Sequence, residues 1–292
     1  MFSPIDRAPA WSLAAVAMLS VQLGAAVSFD LFDELGVAGA AWIRLTLGAL
    51  GFVLIARPRY WQWTLRELRA PILLGFVSAG MTLSFLTAIS LLPLGTAVAI
   101  EFLGPLLVAA LHSRSRRALA WPALALVGVV LLTEPWHGAP SIAGIGFALL
   151  SGAFWGLYII ITQHVADRFE GVDGLAISLP VAAIVTAFVG LPQAWGHIDL
   201  RVLLISVAAA LLLPLIPWTL ELYALRRLTK AAFGTLMSLE PAVALAIGAL
   251  VLHQLPNGSQ ALGIACVVMA GIAAERTGQR GDELPEFTSP PA

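Results

Sequence analysis

Residues 88–105, AISLLPLGTAVAIEFLGP, hold the end of one apolar run, a break at Leu91-Leu92-Pro93-Leu94 and the first half of the next run. Residues 224–241, ALRRLTKAAFGTLMSLEP, follow the same plan. Both begin with Ala and an aliphatic residue, carry Leu at the fifth place and end in Pro at the eighteenth. Each reads as the end of one helix, a tight loop and the first half of the next. A second pair of matching points supports a repeat. Residues 54–58 read Leu-Ile-Ala-Arg-Pro and residues 188–192 read Phe-Val-Gly-Leu-Pro, each at the end of an apolar run.

Outward from these stretches, the chain divides into ten apolar runs, near 10–29, 35–56, 71–90, 95–112, 118–134, 142–163, 174–194, 201–223, 230–253 and 258–275. About 20 apolar residues cross a bilayer core of roughly 30 Å as a helix. The runs are too long and too uniformly apolar for the alternation of a membrane barrel. Composition agrees: 59% of the 292 residues are hydrophobic and 11% charged, with a mean hydropathy of +0.90. A soluble domain carries about 25% charge, so a cytosolic enzyme and a disordered chain are both excluded. Net charge is -1, which gives no basic excess for nucleic acid. The lone Cys266 rules out a disulfide framework within the chain.

Fourteen of the 16 basic residues fall in loops that are cytoplasmic if the N-terminus is inside. Arg201 alone falls in an outside loop, and Arg44 lies within a span. By the positive-inside rule, both termini are cytoplasmic and the span count is even. The expected fold is therefore an all-α membrane protein with ten transmembrane helices in two inverted five-helix repeats. Five is odd, so the halves enter the membrane from opposite sides, as in many secondary transporters. Residues 1–9 form a cytoplasmic N-terminus, 10–134 the first repeat, 142–275 the second, and 276–292 a disordered cytoplasmic tail. The alternative is that apolar helices resemble one another by composition alone. The run from Trp11 to Phe29 is long for a signal peptide and reads as the first span.

These stretches resemble the drug/metabolite transporter superfamily, in the EamA-type branch of two five-helix repeats. More narrowly, they are similar to its inner-membrane threonine/homoserine exporters. The segments that carry the resemblance are PLGTAVAIEFLGP (93–105), IRLTLG (43–48), SVQ (20–22), FWGLYI (154–159) and FGTLMSLEPA (233–242).

A charged group at a helix centre costs about 2.5–3.5 kcal/mol on insertion scales, so ionisable residues inside spans are functional candidates. They are Arg44, Glu101, Glu221 and Glu240. Glu101 and Glu240 lie in equivalent spans, each with a proline nearby, Pro105 and Pro241. A proline frees a backbone carbonyl one turn earlier, which can hold a cation or form a hinge. Both carboxylates are expected to line a central cavity and take a substrate ammonium or a coupling proton. Otherwise they form a structural ion pair with Arg44 or stay protonated against a carbonyl. Arg44 either anchors a substrate carboxylate or permanently partners one of them. Gln22, in mid-span, either lines the cavity or bonds a neighbouring helix. The resemblance favours lining, because it places the first span in the cavity wall. Trp155 and Tyr158 share a helix face and offer either cation–π contact or plain packing. Glu221 is expected to reach the interface and meet Arg226 or Arg227, and Trp218 and Tyr223 to be interface anchors.

No metal site is expected: the five His residues lie at or near span ends with no ligand spacing. No cofactor motif appears, and Ser84 and Ser151 have no nearby His to make a nucleophile, so no enzyme is expected. The resemblance implies a bacterial inner-membrane carrier that exports small amino acids such as threonine and homoserine by proton exchange. Its partners are then a zwitterionic substrate, the proton and the lipid bilayer, with the oligomeric state open. The rivals are an exporter of other amino acids, drugs or metabolites, or a scaffold whose Glu101, Glu240 and Arg44 seal into one network.

Overall fold

The computed structural model describes residues 9–112, 119–134, 141–166, 168–169, 172–225 and 236–278, and among these there is no strand. Residues 1–8 and 279–292 of the expected tails, most of the basic loop residues and Phe233 to Thr235 of the matching motif lie outside them, while 276–278 of the expected tail are helical. Helix α1, Ala10–Ser28, runs through a 3-10 turn, Phe29–Leu31, into α2, Phe32–Ala56. Helix α3 is Leu65–Leu91, α4 Leu94–Glu101, α5 Leu103–His112 and α6 Ala120–Thr133. Helix α7 is Ile142–Ala166, α8 Asp173–Ala194, α9 Leu200–Ala210 and α10 Ile216–Leu225. Helices α11, Glu240–Val251, and α12, Gly258–Gly278, close the chain.

Local chemistry sets the boundaries. Gly36 has φ 68° and ψ 166°, so the regular part of α2 starts after it. Gln193 of α8 supplies the cap: its Oε1 accepts from the backbone N–H of Ala38 at 3.1 Å and of Gly39 at 3.3 Å. These are orphan donors of the first turn, satisfied here by a residue 155 positions away. Helix α2 ends at Arg57, in the left-handed region, just before Pro58. Thr64 and Glu67 start α3 with a reciprocal capping box. Pro93 forces Leu92 to extend, which ends α3 and opens α4.

Three further breaks fall inside expected spans, each at proline. Pro105 offers no N–H to the Glu101 carbonyl, and the run 95–112 divides at Phe102 into α4 and α5. The run 201–223 divides at a π turn, Leu211–Leu215, where Leu213 is extended ahead of Pro214. The Ser20 hydroxyl donates to the Leu212 carbonyl there at 2.7 Å, satisfying an unwound acceptor. In the run 230–253, whose first six residues lie outside the described ones, Leu236 and Met237 are helical, Ser238 and Leu239 form a turn, and α11 opens at Glu240 with Pro241 in its first turn. Glu240 thus stands at a break inside the run, as the first residue of the helical segment that follows it.

Among the described residues, five helical stretches are long and apolar enough to cross a membrane: Trp11–Ala56, Leu65–Leu91, Ile142–Thr162, Asp173–Ala194 and Leu200–Glu221. Leu94–Val108, Ala120–Thr133, Glu240–Val251 and Gly258–Ala273 are apolar and shorter. Large apolar side chains stand on the outside, Phe188 at 79% exposure and Leu250 at 75%. Such surfaces suit hydrocarbon and not water. The main packed pairs are α2 with α8, α3 with α7 and α8, α1 with α10, and α6 with α12. Helix α4 packs on α11 and α7, and every one of its residues is buried. Its last residue, Glu101, therefore lies at the centre of the bundle.

Candidate functional site

The prolines that break the helices also place the carboxylates. Glu101 is the last residue of α4 and Glu240 the first of α11, and each is 8% exposed. A helix start is the favourable end for a negative charge and a helix end the unfavourable one, because of the aligned peptide dipoles. Glu240 acts electrostatically on both Glu101 and Glu221, so the three carboxyl groups share one neighbourhood.

Two polar pairs are built around them. The Gln22 amide Nε2 donates to Glu240 Oε1 at 3.2 Å, across 218 residues. Gln22 is 1% exposed, and its Oε1 has no partner. A buried amide oxygen left this way is costly. An ammonium group, which brings three donors, would satisfy it together with Glu240. The second pair is Ser151 of α7 with Glu101, at 2.5 Å between Oγ and Oε1. The same Oγ lies 3.1 Å from the Met81 carbonyl of α3.

Arg44 is 3% exposed and donates to the Ser28 hydroxyl at 3.3 Å. Among the described residues, no carboxylate lies within ion-pair distance of it. The alternative of a fixed pair with Glu101 or Glu240 is therefore absent from this structure. Ser28 is six residues beyond Gln22 on α1, about 9 Å along the axis. The guanidinium thus sits toward one end of the bundle from the Gln22–Glu240 pair.

Trp155 and Tyr158 leave α7 toward different partners. Trp155 meets Phe102 edge-on, with ring centroids 6.0 Å apart, and belongs to the packing around α6 and α12. Tyr158 packs on Trp218 at 5.6 Å and lies within electrostatic reach of Glu221. Trp218 in turn stacks on Phe52 at 6.4 Å, so it packs toward the interior of the bundle. Its place in an apolar run hid this, because inward and outward side chains look alike there. Glu221 is half-buried beside these groups, while Arg226 and Arg227 lie outside the described residues.

Ser151, weighed in the sequence only as a nucleophile, is the site residue whose role was missed. Its neighbour Gly152 and Gly156 form a small-xxx-small pair, a signal of close helix approach that was readable. A side chain on Gly104 would run into the Gly152 carbonyl, and one on Gly152 would meet the Glu101 carbonyl at 2.6 Å. The α4–α5 break is thus pressed backbone to backbone against α7. Two surface clefts are also present. One, of about 320 Å³, lies between Trp63, Glu67, Arg168 and Phe169. The other, of about 230 Å³, is lined by residues that include Thr96, Gln254 and Gln260. Neither reaches the buried carboxylates. Among the described residues, no group of His, Cys, Asp and Glu is placed to hold a metal ion.

Comparison with known proteins gives the context. Residues 142–274 match the EamA-like transporter family. The threonine/homoserine exporter RhtA of Escherichia coli strain K12 is 34% identical over 298 residues, covering 97% of this chain and 98% of the relative. RhtA of Salmonella typhimurium strain SL1344 is 34% identical over 276 residues, covering 92% of each. A solved crystal structure shares the fold, with a TM-score of 0.59 at 18% identity over 94% of this chain and 100% of that one. With a third of its residues identical to curated members across nearly its whole length, this chain belongs to the EamA-like transporters, a family of helical membrane proteins.

Proposed function

We propose that this protein exports small zwitterionic amino acids of the threonine/homoserine kind across the bacterial inner membrane, in exchange for protons. The observation that carries the substrate class is the Gln22–Glu240 pair. It offers a buried carboxylate and an unpartnered amide oxygen to an ammonium. Arg44 is the complementary pole. A guanidinium has five donors, and its described protein partner is one neutral hydroxyl. It takes the substrate carboxylate after leaving Ser28. Burial of Gln22, Glu240 and Arg44 means that the bundle must open to load. The breaks at Phe102, Leu213 and Pro241 are the joints at which it does so. The names of the relatives support this substrate reading.

The carrier has ten spans in two inverted repeats, 10–134 and 142–275, with both termini cytoplasmic. The packing supports that pairing. If span n of the first half corresponds to span n of the second, α3 with α7 exchanges with α10 with α1. The contacts of α2 with α8, α4 with α11 and α6 with α12 map onto themselves. The matched family region, 142–274, coincides with the second half. Loops expected on one side also meet: Glu34 pairs with Arg201 at 3.6 Å, and the Leu94 N–H donates to Gln254 at 2.9 Å.

The test is efflux of labelled threonine or homoserine from proteoliposomes, with and without a pH gradient. Wild type should show gradient-stimulated efflux, and Glu240→Gln should lose efflux altogether. Glu101→Gln should lose only the response to the gradient. Wild-type efflux no faster than from empty vesicles would refute the substrate assignment.

A further inference from the structure

The Ser151 hydroxyl has one proton and two acceptors in reach. The Met81 carbonyl is at 3.1 Å and Glu101 Oε1 at 2.5 Å. A serine can donate to only one of them at a time. Both contacts are hydrogen bonds at once in one arrangement only: Glu101 carries a proton and donates it to Ser151 Oγ, and Ser151 donates to the Met81 carbonyl. We propose that Ser151 is a relay that ties the proton on Glu101 to the packing of α7 against α3. This inference rests on the proton-exchange reading above.

The geometry assigns the consequence of proton loss. When the Glu101 proton leaves to water on the open side, the carboxylate becomes an acceptor. Ser151 then turns its single proton from Met81 to Glu101, because a hydrogen bond to an ionised group is the stronger one. The cross-link from α7 to the α3 backbone is lost, while the α7 link to α4 tightens. Helices α3 and α7 form one of the main packed pairs. Their seam is thus held in the protonated form and released in the ionised one. Among the described residues, Glu240 of α11 is the one ionisable group that acts electrostatically on Glu101. Charge on Glu240, and its neutralisation by a bound ammonium, therefore feeds into the same switch. Glu240 with Gln22 serves the substrate, and Glu101 with Ser151 serves the proton.

Infrared difference spectroscopy of the full chain in lipid nanodiscs, titrated with pH, tests this directly. Wild type should show a protonated-carboxyl band that Glu101→Gln abolishes. In Ser151→Ala the band should move to higher frequency, because the carboxyl has lost its hydrogen-bond partner. Ser151→Thr, which keeps the hydroxyl, should restore the wild-type position. A structural role for Ser151 would leave the band where it was. No band lost in Glu101→Gln, or a Glu101 band that stays in place in Ser151→Ala, overturns the proposal. The efflux assay separates the two readings. A wild type that fails to export threonine yet shows the band behaviour keeps the proton site and removes the substrate. Gradient-driven efflux with an unmoved band does the reverse.

Discussion

Gly152→Ala tests the close approach that places Glu101. The new methyl would sit 2.6 Å from the Glu101 carbonyl oxygen and 3.3 Å from its carbonyl carbon. Ordinary carbon–oxygen contact is about 3.3–3.6 Å, so the end of α4 must retreat by roughly 0.7–1 Å. The obstacle is backbone and cannot rotate aside. Overpacking of this kind costs about 1–3 kcal/mol. The same retreat lengthens the 2.5 Å contact of Ser151 with Glu101 to roughly 3.2–3.5 Å, the weak end of hydrogen bonding. That takes away part of a bond worth roughly 0.5–1.5 kcal/mol between uncharged groups. Alanine returns about 0.5–1 kcal/mol through helix propensity. The net loss is about 2 kcal/mol, or a Tm lower by roughly 4–8 °C for a chain of this size. Thermal unfolding of purified protein in one detergent reads it. Gly146→Ala, on the same helix with nothing within 4 Å of its new methyl, is the control and should be neutral or more stable. If both variants melt alike, the backbone contact between α4 and α7 is not as described and the placement of Glu101 fails with it.

Three further outcomes are expected. Gln22→Leu keeps the volume and removes the amide that faces Glu240; substrate efflux should fall at least about tenfold, some 1.4 kcal/mol, at equal protein levels in labelled-threonine assays. Gln193→Leu strips the cap from the Ala38 and Gly39 N–H groups and should cost about 1–3 kcal/mol in thermal unfolding, with fraying of the start of α2 visible as faster amide exchange there. Glu67, exposed in the first turn of α3, precedes the apolar run 71–90, and its carboxyl is held below the usual value chiefly by the Thr64 N–H, then by the Thr64 hydroxyl and the charge of Arg168. Its stabilising effect is therefore complete above the ordinary carboxylate range and lost as pH falls through the lowered folded value. Glu67→Gln should flatten the acid limb of a Tm-against-pH curve, and an unchanged limb would count against the capping box.

The apolar runs, the prolines and the ionisable residues inside the runs were legible because each acts locally. A run of about 20 apolar residues suits a bilayer whatever surrounds it. Pro105 and Pro214 each remove a helical hydrogen bond whatever surrounds them, but so does Pro180 within the unbroken α8, so which prolines interrupt a helix was not legible. Glu101, Glu240 and Arg44 stood out because charge is expensive in hydrocarbon. The start of α11 at Glu240 was open to the same logic, since Pro241 favours a first turn.

The partnerships were not legible, and the reason is physical. In water, the polar face of a helix shows which side turns inward. In hydrocarbon, the outward face is as apolar as the core, so rotation about each axis leaves no periodic trace in the sequence. The sequence by itself determined that the chain is built of apolar membrane helices and which side chains are costly there. Only the tertiary structure decided the partnerships. Gln22 meets Glu240, Ser151 meets Glu101, Gln193 caps α2, and Arg44 rests on Ser28 instead of a carboxylate. Those choices depend on how each helix is turned and how closely glycines let two backbones approach, which no single run of residues encodes.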